Sequence, residues 1–373
     1  MSYLGENIGK LGFGLMRLPL LEGGAIDVEQ TKVMVDMFLE KDFTYFDTAY
    51  GYFNGRSEEA IKEALVDRYP REKFLLATKL PAWAAKTADD AKAMFTTSLK
   101  RTGAGYFDYY LLHNLGDDRI RSFEDFGIWE YVRGLKEKGL VKHIGFSFHD
   151  TAEKLDEILT AHPEAEFVQL QINYADWDSP TVQSKACYEV ARRHGKPVII
   201  MEPVKGGNLA NPPKSVADIF KAANPDASVA SWAIRFAASL EGIITVLSGM
   251  SDIAQMEDNL STMMPFSPLT DAERKVISDV VTAFGAIPSV PCTGCDYCVK
   301  GCPQEIAIPG IFSAMNTRMV YGNVQGAKGN YMWATRTGGK ASKCIECGHC
   351  ESVCPQHIDI INRLKTAVSW FEE

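Results

Sequence analysis

No run of about 18 apolar residues occurs in this 373-residue chain, so a membrane-spanning helix is not expected. Met1 to Lys10 lack a charged stretch followed by an apolar one, which argues against a secretory leader. Positive charge is also scarce. Lys and Arg number 39 against 48 Asp and Glu, a net charge of −9, and no basic cluster stands out. A nucleic-acid partner needs many cationic phosphate contacts and is therefore not expected. Cysteine is almost missing before Pro291, with Cys187 alone there, at helical spacing among Ala186, Tyr188 and Val190 where a small buried residue belongs. The other eight cysteines follow in two short clusters, a distribution for binding metal rather than for disulfides. Thiolate ligands persist in a reducing compartment, which points to the cytoplasm.

What is present is the composition of a soluble globular protein, with 46% hydrophobic and 23% charged residues, enough for a large core. The length exceeds that at which one core stops growing, so a large domain and a small one are expected. Up to about residue 285, short apolar runs at 11–15, 44–47, 74–78, 109–113, 143–147, 168–172, 198–201 and 244–247 read as strands. Amphipathic stretches at 28–40, 57–66, 88–101, 128–138 and 151–161 read as helices between them. Strand and helix alternating eight times imply an α/β fold, a closed parallel (β/α)8 (TIM) barrel. Pro288 and Pro291 then stiffen a linker, which places a barrel at 1–286 and a second domain at 287–373.

Such a barrel carries its chemistry at the C-terminal ends of its strands. Asp47, Lys79, His113, Ser147, Gln171, Glu202 and Ser248 stand there, with Tyr52 just beyond Asp47. Reducing a carbonyl needs a hydride donor and an acid for the oxygen. Tyr52 is the candidate acid: a phenol titrates near pH ~10, and a Lys79 ammonium held by Asp47 is expected to lower it. His113 would orient the carbonyl oxygen by a hydrogen bond.

Phe46-Asp47-Thr48-Ala49-Tyr50-Gly51-Tyr52, Ala77-Thr78-Lys79 and Tyr110-Leu111-Leu112-His113 resemble the Asp, Tyr, Lys and His segments of the aldo-keto reductase family, over roughly residues 8 to 265. That family places its tyrosine five residues after the aspartate, which selects Tyr52 over Tyr50. The resemblance implies NADP or NAD bound without a Gly-rich Rossmann loop. It implies Ser147 and Gln171 on the carboxamide and Tyr174 at the nicotinamide ring. Around the pyrophosphate and adenosine it implies Glu202, Pro203, Val204, Lys205, Gly206 and Gly207 from one loop, and Ser248, Gly249, Met250, Ser251, Gln255, Asp258 and Asn259 from another. Asp258 and Asn259 match the usual pair. Phe148 departs from the Asn of many relatives, and Gly249 and Gln255 from the Lys and Arg that grip the 2′-phosphate. Weak NADPH selectivity is expected, with Lys205 as the compensating cation.

Cys292, Cys295, Cys298 and Cys302 precede Pro303, and Cys344, Cys347, Cys350 and Cys354 precede Pro355. Both runs read C-x2-C-x2-C-x3-C-P, the bacterial ferredoxin signature for two [4Fe–4S] clusters, in which the fourth cysteine of each run ligates the other cluster. Four-cysteine zinc sites more often present two separated C-x2-C pairs. A small, mainly helical ferredoxin-like domain is expected, helical at 311–319, with an inserted loop at 321–343. Tyr331 and Trp333 in that insert would pack on the barrel mouth or simply anchor it. His349 and His357 are surplus to eight thiolates.

The leading expectation is an NAD(P)H-dependent reductase of a small carbonyl substrate, or the reverse alcohol oxidation, with electrons passing through the clusters to a ferredoxin or flavoprotein. A hydride carries two electrons whereas a cluster passes one. A ferredoxin-dependent one-electron reductase and a redox-sensing nicotinamide-binding module with structural clusters are the alternatives.

Overall fold

Eight short strands close into a parallel barrel, each paired with the next in sequence and the last with the first. They are β1 (Leu11–Gly14), β2 (Tyr45–Asp47), β3 (Leu75–Leu80), β4 (Phe107–Leu115), β5 (Val141–Phe148), β6 (Phe167–Gln171), β7 (Val198–Met201) and β8 (Ile243–Ser248). All eight overlap the apolar runs read from the sequence. The structure is a computed structural model that describes residues 3–116 and 119–373. Among these residues no helix is long and apolar enough to cross a membrane.

The strands form because their residues are aromatic, branched or small and are buried on both faces, as parallel sheets require. Inside the barrel Tyr45, Ala77, Tyr109, Leu111, Phe167, Ile199, Ile244 and Leu247 make one cluster. Tyr109 sits edge-on to Tyr45 at 5.0 Å and to Phe167 at 5.2 Å, so aromatic rings fill the interior. Outer helices begin at side-chain caps: Asp27 accepts from Gln30 N and Thr87 from Asp90 N. The helix Ala88–Thr102 stops at Gly103, whose φ of 66° belongs to the left-handed region. The stretch read as one helix at 57–66 is α-helical over Arg56–Ile61 and widens into a π turn over Lys62–Val66.

Contacts divide the chain into two units, one made of residues up to Gly206 with Ala230–Arg274, the other of Gly207–Val229 with Lys275–Glu373. The helix Asp271–Gly285 thus contributes residues to both units. In the second unit the helices Ile308–Tyr321, Val324–Ala334 and Ile360–Phe371 surround a core of Ile306, Ile311, Phe312, Met315, Tyr331 and Leu364. The helix Val324–Ala334 corrects the expectation of a loop at 321–343. Asn323 caps it by accepting from Gly326 N, and Tyr331 stacks on Phe371 at 4.9 Å while its hydroxyl meets Glu372. Tyr331 is thus an anchor of this unit, whereas Trp333 lies exposed beside Arg336.

At the N-terminal end of the strands Glu166 joins β5 to β6. It accepts from Ile144 N at 2.9 Å, His143 Nδ1 at 3.0 Å and Lys136 Nζ at 2.5 Å. Burial opposes its charge, but these bonds outweigh burial and hold its pKa down to about 2 from 4.5. A depressed carboxylate pKa stabilises the fold above the unfolded value, and that stability is lost as pH falls toward the folded value. Glu166→Gln should therefore cost about 1 to 3 kcal/mol at neutral pH, and denaturant melts should show the difference shrinking from pH 4.5 toward pH 2. A gap that stays constant over that range would show that the Glu166 charge does no stabilising.

Candidate functional site

Parallel register places the ends of β2 and β3 side by side, with Asp47 opposite Ala77 and Lys79 two residues further along. Both side chains are almost wholly buried, and Lys79 Nζ contacts Asp47 Oδ1 directly. Lys79 also donates to Thr48 O at 2.8 Å and lies 3.3 Å from the Tyr52 hydroxyl. The free carboxylate oxygen of Asp47 accepts from Gln169 Nε2 at 3.2 Å, a partner that no sequence motif marked. The His113 ring lies edge-on to Tyr52 at 6.1 Å. Asp47, Tyr52, Lys79 and His113, four residues scattered over 67 positions, thus meet at one end of the barrel.

Charge balance here differs from the sequence expectation in one respect. Burial pushes the Tyr52 phenol above its ordinary value; Lys79 draws it down, and Asp47 and Glu202 push it up again. The net direction is upward, because removing a phenolate from water costs more than one ammonium returns. Burial works against the Lys79 ammonium, yet Asp47 and Tyr52 outweigh it and raise its pKa. Burial also keeps His113 well below its usual range, helped by Lys79, His149 and Arg119. The imidazole is therefore neutral at pH 7, and its buried Nδ1 has no partner among the described residues.

The loop carrying Tyr52 is pinned from behind. Phe53 and Asn54 have φ of 51° and 56° and Gly55 has φ 91°, a left-handed run that turns the chain sharply after Tyr52. Ser57 donates to Leu15 O at 2.9 Å and bonds Thr48 at 2.8 Å. Buried Glu58 holds Thr78 at 2.8 Å and Arg101 at 3.2 Å, and Arg101 bonds Tyr50 O at 3.0 Å. Tyr50, with the Arg101 guanidinium 4.5 Å over its ring, belongs to this support.

Other predicted positions fall into two groups. Ser147 Oγ accepts from Asn114 N at 2.8 Å, and Gln171 donates to Asp176 at 3.1 Å, so both carboxamide candidates already have protein partners. Tyr174 and Met250 are buried. Asp176 is a hub that sequence reasoning missed: Asn173 donates to it at 2.9 Å and Lys205 pairs with it. Asn173 also bonds Glu202 O at 3.2 Å, holding the loop of Glu202, Pro203, Val204, Lys205, Gly206 and Gly207. In the other loop Asn259 donates to Ser248 Oγ at 2.9 Å. Gln255 accepts from Ser251 N at 2.9 Å and donates to Asp252 at 2.8 Å, so it is tied to the N-cap of its own helix Ile253–Met263.

Arg17, also missed, lies between these loops. A Cβ at Gly206 would come within 3.0 Å of its guanidinium, and one at Gly249 within 3.2 Å of its stem. The glycines therefore leave a cradle for a cation beside two exposed backbones, which fits the phosphates of a dinucleotide. A surface cavity lined by Tyr3, Glu6, Lys73 and Phe74 lies at the opposite end of the strands.

Residues 10–281 match the aldo/keto reductase family, nearly three quarters of the chain. The chain belongs to that family. Its C-terminal part, 291–359, matches a 4Fe-4S dicluster domain. Among relatives of this aldo/keto reductase, a probable aldo-keto reductase from Glycine max is 30% identical over 182 residues, 46% of this chain and 50% of that protein. The chain thus spans about half the length of that relative. An uncharacterized oxidoreductase from Bacillus subtilis is 23% identical over 68% of this chain and 87% of its own. Two solved structures share the fold. An aldo-keto reductase from Bacillus halodurans in its holo form is 23% identical with a TM-score of 0.57, covering 75% of this chain and 95% of its own. One from Klebsiella pneumoniae in complex with NADPH is 20% identical with a TM-score of 0.58, covering 74% and 91%.

The cysteines line two separate cavities. Cys292, Cys295, Cys298 and Cys354 line one; Cys344, Cys347, Cys350 and Cys302 line the other. Among the described residues no three His, Cys, Asp or Glu converge closely enough for a single metal ion. Four thiols spread around a cavity suit a cubane better than one tetrahedral zinc. Both runs also bend alike. Left-handed residues fall two, four and thirteen positions after the first cysteine, at Gly294, Asp296 and Glu305 and again at Glu346, Gly348 and His357. His349 lies where a Gly301 side chain would be, a packing role rather than a ligand's.

Gly55→Ala should test the support behind Tyr52. Its Cβ would meet Arg101 at 2.6 Å in a left-handed conformation, so a loss of about 1 kcal/mol or more is expected in denaturant titration. Unchanged stability would show that the Tyr52 loop is not held through Arg101.

Proposed function

We propose that the barrel reduces a small carbonyl compound with NADP or NAD, or runs the reverse alcohol oxidation, and that the C-terminal unit holds two [4Fe–4S] clusters. The observation that carries this is Lys79, held by buried Asp47 and placed 3.3 Å from the Tyr52 hydroxyl at the strand ends. Membership of the aldo/keto reductase family supports it.

A reduced nicotinamide, when bound, supplies the hydride that reaches the carbonyl carbon. Tyr52 gives its hydroxyl proton to the carbonyl oxygen, and the phenolate left behind is stabilised by the Lys79 ammonium. Burial keeps the phenol protonated until that moment, which suits an acid. Neutral His113 donates a hydrogen bond that orients the oxygen, and Asp47 with Gln169 keeps Lys79 aimed. At the phosphates, Arg17 beside Gly206 and Gly249 is the cation that Gly249 and Gln255 do not provide, while Lys205 is engaged by Asp176. Such a clamp near the pyrophosphate serves NAD and NADP alike, so at most a modest preference for NADPH is expected. The Klebsiella relative, solved with NADPH, is consistent with this reading.

The two cysteine sets would hold clusters, which would supply one-electron transfer with a ferredoxin or flavoprotein as the class of partner. A thiolate set of this size requires reducing surroundings, which supports a cytoplasmic location.

Tyr52→Phe deletes only the acidic hydroxyl. It should lower carbonyl reduction by about 100-fold or more while nicotinamide affinity stays near wild type; retention of the wild-type rate would overturn the assignment of Tyr52. For the clusters, anaerobically purified protein should carry about eight irons. Cys302→Ala and Cys344→Ala should each cost the same cluster, so the double variant should lose no more iron than either alone. Loss of both clusters in the double variant would refute this wiring, and stoichiometric zinc without iron would refute the clusters themselves.

A further inference from the structure

Residues 306–345 contain Arg318, Lys328, Arg336, Lys340 and Lys343 but neither Asp nor Glu, in a chain whose net charge is −9. The acids that border the stretch are Glu305, whose carbonyl accepts from Gly339 N at 2.7 Å, and Glu346, which pairs with Lys365. The helix Val324–Ala334 runs through it. Buried Ala327 and Tyr331 set the inner side of that helix, so Lys328, Met332, Trp333 and, just beyond its end, Arg336 fall on the outer side and are exposed. Met332 is 72% exposed and Trp333 62%, although large apolar side chains are the ones that folding gains most by burying. The Arg336 guanidinium lies 4.2 Å from the centre of the Trp333 ring. Lys340 is answered by Glu372 and Arg318 by the Trp370 ring, so neither counts toward this face.

The same end of the helix borders the cysteine cavities. A Cβ at Gly310 would meet the Ala334 Cβ at 2.6 Å, and Gly310 follows Ile308, which lines both cavities, and Pro309, which lines one. Ala334, next to Trp333, thus packs on the segment that walls both cysteine sets. Beyond Arg336 the chain pairs Gly339 with Ile306 and passes through Ala341 to Cys344. Trp, Met and Arg are the residues that the buried centres of protein interfaces favour. A helix that lies on a membrane needs a wide apolar face, whereas this one has 11 residues with Gly329 beside its two exposed apolar side chains. Cations around an indole, with no carboxylate among them, suit a protein that presents carboxylates.

We propose that the outer side of the helix Val324–Ala334, with Trp333 and Met332 at its centre and Lys328 and Arg336 at its rim, docks a small acidic one-electron carrier protein. This rests on the reading that the C-terminal unit holds [4Fe–4S] clusters, and it locates the surface through which they exchange electrons. Each encounter moves one electron: the reduced carrier loses it and a cluster gains it, with no bond made and no proton taken up at the contact.

The test follows the oxidation of reduced flavodoxin, an acidic carrier, by the anaerobic iron-loaded protein in stopped flow over a range of salt. In wild type the rate should fall steeply as salt rises. Lys328→Glu combined with Arg336→Glu should slow the reaction by about tenfold or more at low salt and approach wild type at high salt. Trp333→Ala should slow it by about tenfold at every salt, the scale of an interface anchor. Lys138→Glu, an exposed position on the barrel, should leave the rate unchanged. Methyl viologen radical cation, which needs no docking, should reduce every variant at least as fast as wild type, with iron content unaltered. A flavodoxin rate that the charge reversals leave alone, or that rises with salt, overturns the proposal. So does slowing of methyl viologen in parallel, which would assign these residues to upkeep of the clusters, and so does a protein that accepts electrons from methyl viologen but from neither flavodoxin nor an acidic ferredoxin. Cosedimentation with phosphatidylglycerol-containing vesicles that Trp333→Ala abolishes, with the flavodoxin rate unaltered, would assign the face to a membrane instead. Protein that carries no iron after anaerobic purification sinks the cluster reading with it.

Discussion

A buried ion pair organises the active end of this protein. Lys79 and Asp47 lie in the barrel with almost no exposure, and such a pair survives only when further bonds satisfy both charges. Gln169 completes the carboxylate, and Thr48 O completes the ammonium. Tyr52 then takes the last position on the ammonium, so the orientation of the acid is a by-product of paying for a buried lysine. The register of β2 against β3 sets the pair, and the left-handed turn after Tyr52 together with Ser57, Glu58 and Arg101 brings the phenol back onto it.

The mouth of the barrel shows charges being assigned rather than merely collected. Lys205 looked available, but Asp176 engages it and thereby fixes the loop after β7. Gln255 is tied to Asp252, the cap of its helix. Arg17 comes from the turn after β1, and the missing side chains of Gly206 and Gly249 make room for it. A cation absent from the expected loops is thus present in space, delivered by a strand at the far end of the sequence that closure of the barrel makes a neighbour of β8.

The C-terminal unit obeys a different rule. Its helices are short and its core is modest, and the two cysteine runs with their matching left-handed residues bring the end of the unit back to its beginning. Each cavity is lined by three cysteines of one run and one of the other, so each set closes a loop of more than forty residues. A ligand bridging such a set would tie the whole unit together, as structural metals do in small domains.

Much was legible before any coordinates. Short apolar runs and period-3.6 patterns reveal buried strands and amphipathic helices because they are local, and the spacing C-x2-C-x2-C-x3-C-P is read along a few residues of one turn. The motif around Asp47 and Tyr52 and those ending in Lys79 and His113 were visible for the same reason. The helix at Val324–Ala334 was missed because three glycines in its neighbourhood read as loop, whereas the burial of Ala327 and Tyr331 holds it helical. Gln169, Asp176 and Arg17 carry no local mark at all. Their partners lie as many as 234 positions away, and only closure of the barrel brings them together. The raised pKa of Tyr52 likewise came from burial, a property of the folded whole that no neighbouring residue in the sequence specifies.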